Sequence, residues 1–151
     1  MKLRISLVVL SLILSTLIGL SFSQRLDSQA DGAEKDRLLI GLSMDTLKEA
    51  RWQRDRDLLV ARAESLGASV LVQSANSDDT RQIQDIQALL SSKVDVLVIV
   101  PHNGKAMAKA VKMAHEADTP VIAYDRLITD CDLDLYISFD NLRFGEMQTQ
   151  Y

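Results

Sequence analysis

The sequence has few of the residue types that build metal and redox sites. Among its 151 residues are one cysteine, Cys131, and two histidines, His102 and His115. A single cysteine excludes a disulfide within the chain and any multi-cysteine metal site. The two histidines are far apart and lack the paired ligand spacing of a zinc site. We therefore expect no metal and no cofactor.

Aromatic residues and clustered positive charge are also scarce. Phe, Trp and Tyr make up 5% of the chain, and its net charge is −4 with the acidic residues dispersed. A nucleic-acid-binding surface needs a clustered basic face or a row of aromatic stacking residues. The composition therefore argues against nucleic acid as a partner.

Two common enzyme motifs are missing as well. The segment after the first predicted strand, SMDTLKEA, lacks the G-x-G-x-x-G spacing that lets a backbone approach a pyrophosphate. No G-x-S-x-G motif occurs, and Ser43 has no histidine near it in the sequence. We expect a protein that is not an enzyme. Its content of 47% hydrophobic and 25% charged residues is typical of one globular domain.

Residues 1–23 have the layout of an export signal. Lys2 and Arg4 precede an uncharged segment that ends in the small-x-small motif Ser21-Phe22-Ser23. This layout predicts a cleaved signal peptide, and the length of the apolar segment leaves an uncleaved N-terminal anchor as the alternative. Both place the rest of the chain in the periplasm or on the extracellular face of the membrane. The polar residues 24–37 are typical of a flexible linker.

From residue 38 onward, segments with strand and helix patterns alternate. Strands are predicted at 38–43, 68–73, 94–100, 121–124 and 135–139, and helices at 47–66, 80–91, 105–117 and from 142 onward. Strands that alternate with helices indicate crossover connections and a parallel sheet, hence an α/β fold.

Local signals within these helices predict caps and buried faces. Asp78 or Asp79 is expected to cap the second helix, with Gln82 completing a capping box with Asp79. Helical spacing predicts two buried faces. Their members are Leu59, Ala63 and Leu66 in the first helix and Met107, Val111 and Ala114 in the third.

The residues that follow each strand should gather at one edge of a parallel sheet, where ligands bind in open α/β folds. They combine carboxylates, guanidinium groups and amides around one indole. The set comprises Asp45, Arg51, Trp52, Asn76, Asp78, His102, Asn103, Asp125 and Arg126.

Two features of this edge have both a binding and a structural interpretation. Trp52, beside Arg51, has the geometry to stack on a small ligand, or it packs the helix against the sheet. Asp125 accepts hydrogen bonds and Arg126 donates them, which suits the adjacent hydroxyls of a sugar. The same pair also suits a structural ion pair that fixes the loop.

Several segments resemble the D-xylose-binding proteins of bacterial ABC importers, in the ribose-type sugar-binding family. They are RWQRDRD, AESLGA with VLVQSAN, VDVLVIVPHNG, VIAYDRLI and YISFDN, and the resemblance extends from residue 38 to about 150. It implies a Rossmann-like N-terminal lobe of a type I periplasmic binding protein over 38–141. Residues 142–151 would then begin the first helix of a second lobe that lies outside this sequence.

The resemblance also implies a function and individual roles. The protein would capture D-xylose or a related monosaccharide and present it to an ABC permease. Trp52 would stack on the pyranose, Arg51 would donate to its hydroxyls, and Asp125 and Arg126 would clamp adjacent hydroxyls. Further candidates are Gln53, Arg54, Asp45 and Asn141. His102 stands where an aromatic residue is expected, so its role stays open.

The short length leads to two further expectations. One lobe cannot bury a ligand as a closing two-lobed cleft does, so this chain alone should bind xylose weakly or not at all. The alternative function is a membrane-anchored sugar-sensing or scaffold lobe without a transport role, which would have a membrane sensor as its partner.

Overall fold

The computed structural model describes residues 37–149 and, before them, Ser15. The predicted signal segment and linker therefore lie outside the described residues, apart from Ser15 and Arg37. Within the described part, no helix has the length and apolarity needed to cross a membrane.

Strands and helices follow one another in the predicted order. The strands are β1 (Leu39–Met44), β2 (Ser69–Ser74), β3 (Val96–Val100), β4 (Val121–Tyr124) and β5 (Leu135–Ile137). The helices are α1 (Ala50–Ser65), α2 (Asp79–Ser91), α3 (Ala108–Glu116) and α4 (Asn141–Thr149).

The five strands form one parallel sheet in the order β2-β1-β3-β4-β5. Gly41 in β1 is paired with Leu71 on one side and Leu97 on the other, so β1 is an internal strand. The predicted α/β fold with a parallel sheet is therefore confirmed. Because the chain moves from β1 outward to β2 and then back to β3, the strand order reverses between β1 and β3. Ligands of open α/β sheets bind outside the carboxyl ends of the strands at such a reversal.

The apolar core lies on both faces of the sheet. Leu97 and Ile99 of β3 pack with residues of α2 and α3, whereas Val98 and Val100 pack with Leu42, Met44 and Trp52 on the side of α1. This division follows from the strand itself, because successive side chains point to opposite faces. It explains why β3 has an unbroken run of apolar residues.

The first helix differs from its prediction at both ends. It begins at Ala50 rather than residue 47, because the hydroxyl of Thr46 accepts the Lys48 N–H at 3.2 Å and the Gln53 amide donates to the Leu47 carbonyl at 2.8 Å. These bonds hold the preceding residues in a turn. Ala63 is buried as predicted, but Leu66 is 68% exposed. Leu66 is the C-cap, where the helical periodicity no longer sets its direction.

The second helix is capped by Asp78, whose carboxylate accepts the Arg81 N–H at 2.9 Å. The predicted capping box with Gln82 is wrong. The Gln82 side chain is fully buried and points to the sheet, since its amide donates to the carbonyl of Val100 at 2.8 Å. The buried hydrogen bond to the end of β3 therefore determines where the Gln82 side chain points, and the local capping motif does not.

Helix α3 and strand β5 are shorter than predicted, whereas β4 has its predicted bounds and Met107, Val111 and Ala114 are buried as expected. Helix α3 begins at Ala108 rather than residue 105, because the Asn103 side chain accepts the N–H groups of Lys105 and Ala106 at 3.0 and 3.1 Å. Such a local side-chain bond competes with the helical ladder. Strand β5 ends at Ile137, two residues before its predicted end.

Candidate functional site

The carboxyl ends of β1, β3 and β4 place a set of polar side chains around the reversal in strand order. Asp45 follows β1, His102 follows β3 after Pro101, and Asp125 and Arg126 follow β4. Helix α1 contributes Arg51 and Trp52 in its first turn. The predicted gathering of these residues is thus found in the structure.

Arg126 is held by a buried carboxylate. Its Nη1 donates to Asp45 Oδ2 at 2.7 Å and to the carbonyl of Pro101 at 3.0 Å. The Asp45 side chain is 5% exposed and that of Arg126 is 40% exposed. Because a buried charge is tolerated only when it is paired and hydrogen-bonded, this ion pair has a structural reason to form. It also directs the guanidinium of Arg126 to the edge of the sheet.

A second ion pair joins α1 to the end of β4. Arg51 Nη2 donates to Asp125 Oδ1, and this hydrogen bond raises the pKa of Arg51 above its ordinary value, so Arg51 stays charged. The Asp125 side chain is 12% exposed, whereas that of Arg51 is 52% exposed. Each pair therefore has its carboxylate beneath and its guanidinium at the surface.

The backbone at Asp125 is in the left-handed region with φ 67°. Strand β5 and the residue after it secure this turn: Asp125 N–H donates to Ile137 O at 2.8 Å, and its carbonyl accepts from the hydroxyls of Tyr136 and Ser138, each at 3.1 Å. Aspartate tolerates this conformation better than most residues, and such positions cluster at ligand-binding sites.

Trp52 lies beneath both guanidinium groups. Its ring is 2% exposed and packs against Leu42, Met44, Val98 and Val100. The central guanidinium carbons lie 4.5 Å (Arg51) and 5.5 Å (Arg126) from the ring centroid, within the range of cation–π attraction. Stacking of Trp52 on a sugar stays a prediction. In this arrangement it requires at least one guanidinium to move aside.

Gln82 and His102 complete the site, and the sequence did not single out Gln82 for this purpose. Gln82 Oε1 accepts the backbone N–H of His102 at 2.9 Å, while its Nε2 bonds the Val100 carbonyl and, at 3.3 Å, the Ser43 hydroxyl. His102 Nδ1 lies 3.0 Å from Asp45 Oδ1. The sequence signal was present in the polar residue on the apolar face of α2, next to Ile83 and Ile86.

The loop after β3 approaches the loop after β4 closely at Gly104. A Cβ atom built at Gly104 would lie 2.2 Å from the carbonyl oxygen of Leu127, a distance that real contacts do not reach. Glycine is therefore required for these two loops to pack as they do. This contact fixes the loop that carries His102 against the loop that carries Arg126.

Of the further candidates, Asp45 belongs to this cluster, whereas no hydrogen bond or ion pair joins Gln53 or Arg54 to it among the described residues. Gln53 bonds the turn before α1, and Arg54 makes no ion pair among the described residues. Asn103 and Asp78 are engaged in local caps. Asn141 begins α4, but its side chain is outside what the structure describes.

The chemistry of the site suits a neutral ligand with several hydroxyls. Each guanidinium is paired with carboxylate groups, Arg126 with Asp45, and Arg51 with Asp125 and, at 3.7 Å, with Asp55, so no unpaired positive charge is left for an anion. These side chains offer fixed donors at the surface with acceptors beside them. Among the described residues, no group of three or more His, Cys, Asp and Glu is placed to hold a metal ion.

Comparisons with known proteins identify the family of the fold. A family model described as a periplasmic binding protein domain matches residues 40–151. The chain is 49% identical over 121 residues to the D-xylose-binding periplasmic protein of Haemophilus influenzae, covering 80% of this chain and 36% of that protein. It is 48% identical over 118 residues to the Escherichia coli protein of the same name, covering 78% and 36%. The resemblance found in the sequence is thereby confirmed.

A solved structure shows the same fold. It is a carbohydrate transporter solute binding protein of Chloroflexus aurantiacus in complex with D-glucose, with a TM-score of 0.70 and 33% identity, covering 74% of this chain and 33% of that one. The chain thus spans about a third of the length of the relatives it matches.

Proposed function

The chain belongs to the periplasmic binding protein domain family, and on that premise we propose that it forms one wall of a site that captures D-xylose or a similar monosaccharide. Capture would take place outside the cytoplasmic membrane, in the periplasm, and an ABC permease would receive the sugar. The role is binding without chemical conversion. Relatives named for D-xylose binding and a solved relative in complex with D-glucose support this proposal.

The observation that carries the proposal is the pairing of Arg51 with Asp125 and of Arg126 with Asp45 at the reversal in strand order. An anion site would leave guanidinium groups without carboxylate partners. Here each guanidinium is already neutralised and held in place, so its remaining N–H groups are presented to a ligand that brings hydroxyls rather than charge.

In the proposed complex, Arg51 and Arg126 donate to hydroxyl oxygens and Asp125 accepts from a hydroxyl. Asp45 acts mainly from below by holding Arg126, because its own side chain is buried. Trp52 provides the apolar surface for a sugar ring after Arg51 or Arg126 shifts, and otherwise supports both guanidiniums. Gln53, Arg54 and Asn141 are secondary in this proposal.

Affinity measurements test the proposal. A pocket that buries most of its ligand needs walls on several sides, and the described lobe supplies one. Of the two outcomes that the sequence left open, weak binding and no binding, the preformed donors lead us to expect weak binding. It should be weaker than micromolar in calorimetry and still saturable in a millimolar NMR titration with D-xylose. Micromolar binding would contradict the one-wall account, and no saturable binding would contradict the proposed function.

Arg51→Lys is the matched substitution for the hydrogen-bonding role. It keeps the charge but loses the planar fork that bonds a carboxylate and a ligand together. Because hydrogen bonds to charged groups contribute about 1.5–3 kcal/mol, we expect roughly a ten- to hundredfold weaker D-xylose affinity by NMR titration.

Arg62→Lys is the control, since Arg62 lies in the last turn of the same helix and, among the described residues, its side chain bonds only Ser65. We expect no change in affinity for it. Equal D-xylose affinities for Arg51→Lys and the unmodified chain would show that Arg51 does not bind the sugar.

A further inference from the structure

We propose that His102 is a positioning residue for Arg126, acting through Asp45, and this inference rests on the proposed function. His102 follows β3, whereas Asp45 and Arg126 follow β1 and β4. The three side chains thus connect the ends of three neighbouring strands. No sequence pattern assigned a role to His102.

The Asp45 carboxylate lies between the side chains of Arg126 and His102. Its Oδ2 accepts from Arg126 Nη1 at 2.7 Å, and His102 Nδ1 is 3.0 Å from its Oδ1. Oδ1 is buried and makes no hydrogen bond among the described residues, although His102 Nδ1 lies close to it. Because a buried carboxylate oxygen without a donor is costly, a small rotation of the imidazole that lets Nδ1–H donate to Oδ1 is favourable. In this proposal His102 therefore carries its hydrogen on Nδ1.

The position of His102 is itself fixed. Its backbone N–H donates to Gln82, which is fully buried and bonded to β3. Gly104 lets the loop that carries His102 pack closely against Leu127. With the proposed hydrogen bond from His102, the Asp45 carboxylate is held at both oxygens. Nη1 of Arg126 is bonded to Asp45 and Pro101, and within the described residues its Nε and Nη2 make no hydrogen bond. Those two nitrogens are the ones presented to the sugar.

The tautomer of His102 is the first readout. With two histidines in the chain, the imidazole ¹⁵N signals of the labelled protein are assigned by comparison with His115→Asn. We expect neutral His102 as the Nδ1–H tautomer, and we expect Asp45→Asn to convert it to Nε2–H. In Asp45→Asn, the new side-chain amide oxygen would still accept a hydrogen bond from Arg126, so the amide nitrogen would face His102. His102 Nδ1 would then have to accept a hydrogen bond and could not carry a hydrogen. An Nε2–H tautomer in the unmodified chain overturns the proposal.

A matched pair of substitutions provides the second readout. His102→Asn keeps an N–H donor the same number of bonds from Cα as Nδ1, whereas His102→Leu keeps similar bulk without a donor. We expect an ordered Arg126 Nε–H signal in the unmodified chain and in His102→Asn, and a loss of its heteronuclear NOE in His102→Leu. Because His102 acts on the sugar only through Arg126, D-xylose affinity should fall by part of what one ligand hydrogen bond contributes, roughly two- to tenfold, in His102→Leu and be restored in His102→Asn.

The control is His115→Leu, because His115 contacts Asp134 on another part of the molecule. It should leave the Arg126 signal and D-xylose affinity unchanged. Equal heteronuclear NOE values of the Arg126 Nε–H in His102→Leu and His102→Asn would overturn the positioning role, even if both variants bind xylose. If the tautomer and Arg126 signals behave as expected while no variant binds xylose, the positioning role stands and the proposed function fails.

Discussion

At the scale of single residues, the site depends on a few positions that only one kind of side chain can fill. Gly104 permits the contact of two loops, and Gln82 joins α2 to β3 and to the His102 backbone. Neither residue faces the proposed ligand. Both determine where the residues that do face it are held, which makes them sensitive positions for stability.

Gly104→Ala tests the close approach of the two loops. The new Cβ would meet the carbonyl oxygen of Leu127, so the backbone must shift. We expect a loss of about 1–3 kcal/mol in the free energy of unfolding, measured by urea denaturation. The control is Gly145→Ala in α4, where a Cβ meets nothing within 4 Å. It should leave stability unchanged or slightly raised, and equal effects at both positions would contradict the contact.

Gln82→Leu tests the buried amide. The substitution removes the acceptor of the His102 N–H and the donor to the Val100 carbonyl. Leaving such groups without partners should lower the free energy of unfolding by roughly 2–4 kcal/mol in urea. Gln84→Leu on the exposed part of α2 should change it by less than about 0.5 kcal/mol. A neutral Gln82→Leu would show that these bonds contribute little.

Asp134 gives a pH-dependent contribution to stability. Its carboxylate accepts from His115 and from the Val121 N–H, each at 2.8 Å, and these bonds hold the pKa of Asp134 below its ordinary value of 3.8. Since the folded-state pKa is the lower one, the stabilisation is fully present above the unfolded-state value. It is lost as the pH falls through the folded-state value.

Asp134→Asn should therefore lower the free energy of unfolding near neutral pH, and its effect should shrink as the pH falls below 3.8. The side chain of Asp134 is 43% exposed, so solvent screening limits the loss to roughly 0.2–1 kcal/mol. Urea denaturation at several pH values measures it. The same substitution in a His115→Leu chain, which lacks the main hydrogen-bond donor, should give a smaller pH-dependent difference. An equal difference in both chains would contradict the assignment.

The side chains of the site were predictable from the sequence only in part. Asp125 and Arg126 could be identified because they follow a strand directly. For Trp52 the sequence offered both ligand stacking and packing of the helix against the sheet, and it could not show that Arg51 and Arg126 lie over the ring, because that depends on three-dimensional positions. Gln82 was assigned to a helix cap because the local motif for a cap is independent of what the helix packs against.

At the scale of elements, β3 is the centre of the domain core. Its alternate side chains reach both apolar layers, and Leu97 and Ile99 are fully buried. Apolar strands of this kind were predicted well, since a run of branched residues is visible in any single sequence. Helix starts were predicted less well, because Thr46 and Asn103 hold turns through side-chain bonds that compete with the helix.

Leu97→Ala tests the central role of β3. Removing a fully buried side chain leaves a cavity, so we expect a loss of about 2–5 kcal/mol in the free energy of unfolding by urea denaturation. The control is Leu58→Ala in α1, where the leucine is 62% exposed. It should cost less than about 0.5 kcal/mol. Similar losses in the free energy of unfolding for Leu97→Ala and Leu58→Ala would show that β3 is not at the centre of the core.

At the scale of the whole molecule, the parallel sheet is what turns scattered residues into a site. The sequence predicted that residues after the strands would meet at one edge, because parallel strands have their carboxyl ends together. It could not predict which of them pair. The order β2-β1-β3-β4-β5 places β3 between β1 and β4, so Arg126 reaches across the end of β3 to Asp45. Strand order is a tertiary property that a single sequence does not contain.

Binding of a monosaccharide at this edge of the sheet can be measured by an NMR titration of the ¹⁵N-labelled chain with D-xylose. We expect saturable shifts of the signals of residues 45–52, 101–103 and 124–126. Signals of the turns at the opposite edge, 66–68, 92–95 and 117–120, should stay unchanged. Saturable shifts confined to those opposite turns, or none at either edge up to millimolar sugar, would contradict the proposed monosaccharide site.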